Sequence, residues 1–169
     1  IVNRSTSGEP TRATLQIAKV LHGGGSDDAP AALSNLLQLT RDYLQLPVET
    51  EKRFVRLTDA ALPDYPILFM HGRRQFQFND EQRQALRSFI DNGGFVFADA
   101  ICAADAFARS FRREMENIFP EQSFERIPTD HPLFTDSFRG HNISQVTVRK
   151  PAIRETADAP LKSQLDSSA

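Results

Sequence analysis

The sequence predicts an α/β fold, a three-layer α/β/α sandwich around a mostly parallel, flavodoxin-like sheet. Three observations carry that reading. Residues 92–102, Asn-Gly-Gly-Phe-Val-Phe-Ala-Asp-Ala-Ile-Cys, open as a helix stop, run through an apolar strand and end in polar groups, the pattern of a central parallel strand. Pro66-Ile67-Leu68-Phe69-Met70-His71-Gly72 also lacks alternation, as a parallel strand covered on both faces should. The elements follow one another as strand, helix, strand, strand, helix, strand, helix. Right-handed crossovers then give the strand order second-first-third-fourth. An open Rossmann-like sheet with the same local elements is the close alternative.

Each element has its own local reason. Residues 1–12 are polar, with Ser5, Ser7, Gly8 and Pro10, and read as a linker. The α/β domain is expected over residues 13–148. Its first strand holds Leu15, Ile17 and Val20, and leads into Gly23-Gly24-Gly25-Ser26, Asp27, Asp28 and Pro30. Glycines, an acidic capping candidate and an early proline describe a strand-to-helix turn. Leu33, Leu36, Leu37, Thr40 and Leu44 give the following helix one apolar face. Phe54, Val55 and Leu57 mark the second strand.

Beyond the third strand, Asn79 and Gln82 have the spacing of a capping box, and Ala85, Leu86, Phe89 and Ile90 form the buried stripe of that helix. Gly93 fits the left-handed residue that closes it. Phe107, Phe111, Met115 and Ile118 make the last helical stripe, with Arg109, Arg112, Arg113 and Glu116 facing away, and Phe119-Pro120 stops it. Residues 123–127 suggest a short edge strand. Thr129-Asp130-His131-Pro132 reads as a turn opening one helical turn through Leu133 and Phe134. Ile143, Val146 and Val148 suggest a last strand, and residues 149–169 a disordered tail.

Composition narrows the class. The 169 residues include 40% hydrophobic and 25% charged residues with a net charge of -2, enough for one real core and an ordinary surface. Neither a nucleic-acid footprint nor a membrane span is written in the chain. One cysteine excludes an internal disulfide and a multi-cysteine zinc cage. Beginning at Ile1, the chain reads as a piece of a longer one, with other domains as partners and any localisation signal upstream. No cofactor is identified.

Under the expected order, the carboxyl ends of the first, third and fourth strands are neighbours. They carry His22 with Gly23, Gly24, Gly25 and Asp27; His71 with Gly72 and Arg73; and Asp99 with Cys102. Strands about 4.8 Å apart put these ends within roughly 10 Å of one another, at the crevice where such sheets hold ligands. The glycine turn suits an anion, sugar hydroxyls or a hard cation, although Asp27 and Asp28 repel phosphate and no Walker or dinucleotide fingerprint is present. Two imidazoles and a carboxylate at His22, His71 and Asp99 are a familiar metal set, without a signature spacing; the competing reading is histidines hydrogen-bonded beside a sheet edge. Cys102 stands where a nucleophile elbow would, flanked by Ala100 and Ala104 rather than glycine. Its downstream bases, His131 and His141, have no acidic partner following them, so a structural thiol competes. Arg73-Arg74 and Arg109, Arg112, Arg113 suit a carboxylate or sulfate, or simply a solvated face.

Taken in order, Gly23-Gly24-Gly25-Ser26-Asp27, Asp64-Tyr65-Pro66-Ile67-Leu68-Phe69-Met70-His71-Gly72 and Gly93-Gly94-Phe95-Val96-Phe97-Ala98-Asp99 resemble a bacterial family, the domain of unknown function numbered four-one-five-nine. Phe107, Ser110-Phe111-Arg112-Arg113-Glu114-Met115, Phe119-Pro120 and Asp130-His131-Pro132-Leu133-Phe134 extend the resemblance, which covers about residues 15–138. It implies the class I glutamine amidotransferase-like fold, including trehalose-utilisation-type domains, and a place within larger envelope-associated bacterial proteins. That points weakly outside the cytoplasm. The chain departs from the pattern at Asp28-Ala29-Pro30, where the family has an aromatic, and at its end, where family chains run on into further strands and a last helix. The late catalytic His and Glu of amidotransferases have no counterpart here. A non-catalytic ligand-binding or interaction domain is therefore the favoured reading. A hydrolase using a metal at His22, His71 and Asp99, or Cys102 as nucleophile, is the rival, and a packing scaffold with an apolar partner face the third.

Overall fold

The computed structural model describes residues 14–138. The chain divides into two compact units, Ile1–Ser123 and Phe124–Ala169. The first contains a four-stranded parallel sheet with three α-helices. Its strands are β1 (Ile17–Val20), β2 (Arg53–Val55), β3 (Ile67–Gly72) and β4 (Phe95–Ala100), and its helices are α1 (Ala32–Leu44), α2 (Asp80–Asp91) and α3 (Asp105–Ile118). The sheet order is β2-β1-β3-β4, every pair parallel, as the crossover argument required.

Strand parity decides which side chains meet which helices, because successive residues point to opposite faces. Leu68 and Met70 of β3 join Ala18 and Val20 in a cluster with Leu86 and Phe89 of α2 and Phe107 and Ile118 of α3. Phe69, one residue out of phase, joins Ile17 in a second cluster with Leu33 and Leu37 of α1. Helices thus flank both faces, and β3 is buried from Leu68 to Gly72.

Local signals placed α2 and α3 well. The Asn79 side chain accepts from the Gln82 N–H while Gln82 reaches back to the Asn79 N–H, a complete capping box. Gly93 has φ +91 and ends the helix as expected. On α3, Ser110 and Glu114 are also buried. The Ser110 hydroxyl accepts from the Phe76 N–H at 3.1 Å, Arg113 donates to the Phe76 carbonyl at 2.9 Å, and Arg83 of α2 donates to Glu114 at 2.9 Å. The Ser-Phe-Arg-Arg-Glu run is therefore a clamp on the loop after β3, and Arg113 does not face away.

Four further expectations need correction. β4 is not central: among the described residues it ends the sheet, and Phe95 and Phe97 are 59% and 47% exposed. The reason is reach, since the cluster around α1 takes in Leu15, Ile17, Val48 and Phe69 but no residue of β4. On α1, Leu33 and Leu37 are buried while Leu36 and Leu44 are exposed, so the apolar face is wider than its contact. α1 has no acidic cap, because Ala31 occupies the N-cap and both aspartates are engaged elsewhere. Residues 123–127 form no strand, having no ladder partner among the described residues.

In the second unit, His131 caps a 3-10 turn, Pro132–Phe134, by accepting from the Leu133 N–H at 3.1 Å, as expected for that motif. A second turn spans Asp136–Phe138. The strand expected at Ile143, Val146 and Val148, the tail after residue 148, and the linker expected over residues 1–12 lie outside the described residues.

Candidate functional site

At the carboxyl ends of the strands, parity sorts the predicted residues into two sets. His71 and Asp99 are register partners on β3 and β4, on the same face as Phe69 and Phe97. Phe69 and Phe97 stack with centroids 5.7 Å apart, and the His71 ring packs edge-on to Phe69 at 5.0 Å. His22 turns to the opposite face, against Phe76 at 4.9 Å and Phe107 at 5.6 Å. Among the described residues no group of three or more His, Cys, Asp or Glu is placed to hold a metal ion.

His71 is fully buried. Its Nε2 donates to the Ser26 carbonyl at 2.9 Å, since a carbonyl can only accept, which leaves Nδ1 as a bare acceptor. That nitrogen has no partner. Burial, and then the charge of Lys19, lower the His71 pKa, while Asp99 and Asp27 oppose them. The net direction favours the neutral imidazole. Asp99 is exposed and makes no hydrogen bond or ion pair among the described residues.

Sequence reasoning missed Lys19. Its side chain is fully buried, and Nζ lies 2.8 Å from Asp27 Oδ1 and 5.6 Å from the Phe54 ring centroid. Lys52 approaches the same carboxylate at 3.9 Å and the same ring at 5.2 Å. A hydrogen bond from Lys19 lowers the Asp27 pKa. A lysine inside an Ile-Ala-Lys-Val strand, followed by two aspartates, is the signal that could have revealed the pair.

The glycine run is an internal brace. Its Gly24 N–H is taken by His22 Nδ1 at 3.0 Å, and the Gly24 carbonyl accepts from both the Arg73 and Arg74 N–H groups at 3.0 Å. Gly72 lies so near that a Cβ there would sit 2.3 Å from the Gly24 oxygen. Gly25 has φ +92, and Gly23 has open space around it. Asp28 pairs with Arg74 at 3.4 Å. The Gly24 N–H is thus committed within the protein, and Asp27 and Asp28 place two carboxylates in the loop. Burial drives the His22 pKa down to about 4, with the His71 backbone opposing it.

Cys102 is exposed just past β4, with φ +54, and Ala103 follows at φ +55. Arg73 Nη2 is 3.8 Å from its sulfur. His131 belongs to the second unit, and His141 lies outside the described residues.

The parallel four-stranded sheet and its three helices define an α/β protein. The particular family follows from the whole chain: the profile of the Domain of unknown function (DUF4159) matches residues 16–166, and the chain belongs to that family. No curated protein matches it. Among the described residues, no helix is long and apolar enough to cross a membrane.

Proposed function

We propose that this is a non-catalytic ligand-binding or interaction domain whose ligand sits at the carboxyl edge of the sheet. The observation that carries the reading is His71 Nδ1, a buried acceptor without a partner, on a strand paired in register with the unpaired carboxylate of Asp99. Buried polar atoms are nearly always satisfied, so a ligand or water supplying a donor is the natural completion. The pair lies at the carboxyl ends of β3 and β4, and β3 borders β1 where strand order reverses, which supports it. The same order supports kinship with the amidotransferase-like three-layer sandwich, while fold kinship alone assigns no chemistry. The test is ligand screening by thermal shift on the wild type and on Asp99→Ala, whose exposed side chain can be removed without unfolding. Hits that lose their shift in Asp99→Ala support the crevice; unchanged shifts for every hit overturn it.

A second reading, hydrolysis through Cys102, is favoured by one specific observation. Two consecutive non-glycine residues are left-handed there, and such strain gathers at functional sites. A thiol that reacts with a mild electrophile faster than free cysteine supports this reading, and a slower one rejects it.

A further inference from the structure

The crossover between β2 and β3 contains no α-helix, only the 3-10 turn Leu62–Asp64. Parallel strands are usually joined by a helix that fills the layer above the sheet. Here the strap is too thin to do so, and a cleft of about 600 Å³ opens between it and α2. That volume lies within the roughly 300–1,000 Å³ of small-molecule sites. Pro66 and Gly94, which precede β3 and β4, line it, so it lies at the opposite end of the sheet from His71 and Asp99.

The lining has a definite chemistry. Leu57, Leu62 and Phe89 are buried core residues that form its apolar part, with Tyr65 half-buried beside them. Asp59 and Glu81 supply two carboxylates, and no Lys, Arg or His takes part. Asp59 Oδ2 accepts from the Arg56 N–H at 2.7 Å, and Glu81 makes no hydrogen bond or ion pair among the described residues. Negative charge above an apolar and aromatic wall complements a cation with a greasy body, since the Tyr65 ring also attracts an ammonium.

We propose that this cleft binds a small arylalkylammonium, its ring against Leu57, Leu62 and Phe89 and its ammonium between Asp59 and Glu81. The experiment titrates phenethylammonium into the full chain, followed by amide NMR shifts, with 2-phenylethanol and phenylacetate as neutral and anionic matches. The expected result is saturable binding of the ammonium alone, with shifts around Tyr65 and Phe89. Glu81→Gln and Asp59→Asn should each weaken it roughly fivefold, because each removes one partly screened charge. Ala85→Phe, which fills the cleft, should abolish binding. The proposal is overturned if the alcohol or the acid binds as well as the amine, if no binding occurs, if the Asp59→Asn/Glu81→Gln double variant binds unchanged, or if the shifts map to His71 and Asp99.

Discussion

Lys19 Nζ donates to Asp27 Oδ1 at 2.8 Å, joining a fully buried lysine on β1 to a half-exposed aspartate in the loop above it. The pair does more than neutralise a charge. It draws Asp27 away from the N-terminus of α1, which is left without a side-chain cap, and fixes the loop whose Ser26 carbonyl accepts from His71.

Removing Asp27 alone therefore costs more than removing both partners. Asp27→Ala strands the Lys19 ammonium inside the sheet, and its melting temperature should drop by several degrees. Lys19→Met, which keeps the apolar stem, should be close to neutral, and Lys19→Met/Asp27→Ala should recover most of the loss. Thermal melts of the three variants check this; equal drops in all of them would contradict the coupling.

Acid should weaken the fold before the carboxylates titrate. The His22 pKa falls from 6.5 to about 4 because burial disfavours its charged form, and the His71 pKa is lowered for the same reason. The unfolded chain then binds more protons than the native one across that window, so stability is full above the ordinary histidine range and is lost as pH falls. For His22 the ceiling is about 3 kcal/mol. Urea midpoints at about pH 7 and about pH 5 measure it. His22→Asn, which can still accept from the Gly24 N–H, should flatten the dependence.

Gly72→Ala should be among the most damaging single-methyl changes in the chain. Its Cβ meets the Gly24 carbonyl at 2.3 Å, a backbone atom that cannot rotate away. A loss of about 3 kcal/mol is expected, at the upper end for overpacking. Gly23→Ala, with nothing within 4 Å of the added methyl, is the matched control and should be nearly silent. Denaturant melts distinguish the two.

Ser110→Ala removes the acceptor of the buried Phe76 N–H and should cost about 2 kcal/mol. Ser110→Thr keeps the hydroxyl and should retain more of the stability. Hydrogen exchange at the Phe76 amide reads the bond directly: protection lost in the alanine variant and kept in the threonine variant is the expected pattern.

Much of this fold was legible because its signals are local. The Asn79 and Gln82 box, the Gly93 stop and the unbroken apolar run of β3 each announce themselves within a few residues. The exposure of β4 was not, because an apolar string reads alike whether or not a helix covers it; Phe95 and Phe97 lie outside the α1 cluster, a tertiary fact. At the site, neighbouring strand ends followed from the order, yet parity separates His22 from His71. Counting from Val20 puts His22 on the α2 side, while Phe69 and His71 share the α1 side. Lys19 was hidden because a strand lysine reads as solvent-facing until its partner eight residues away is known.

The double acceptance by the Gly24 carbonyl has a kinetic consequence. Because one oxygen accepts from both the Arg73 and Arg74 amides, any displacement of the Gly24 carbonyl breaks both bonds together. The two arginine amides should accordingly exchange with deuterium at one common rate.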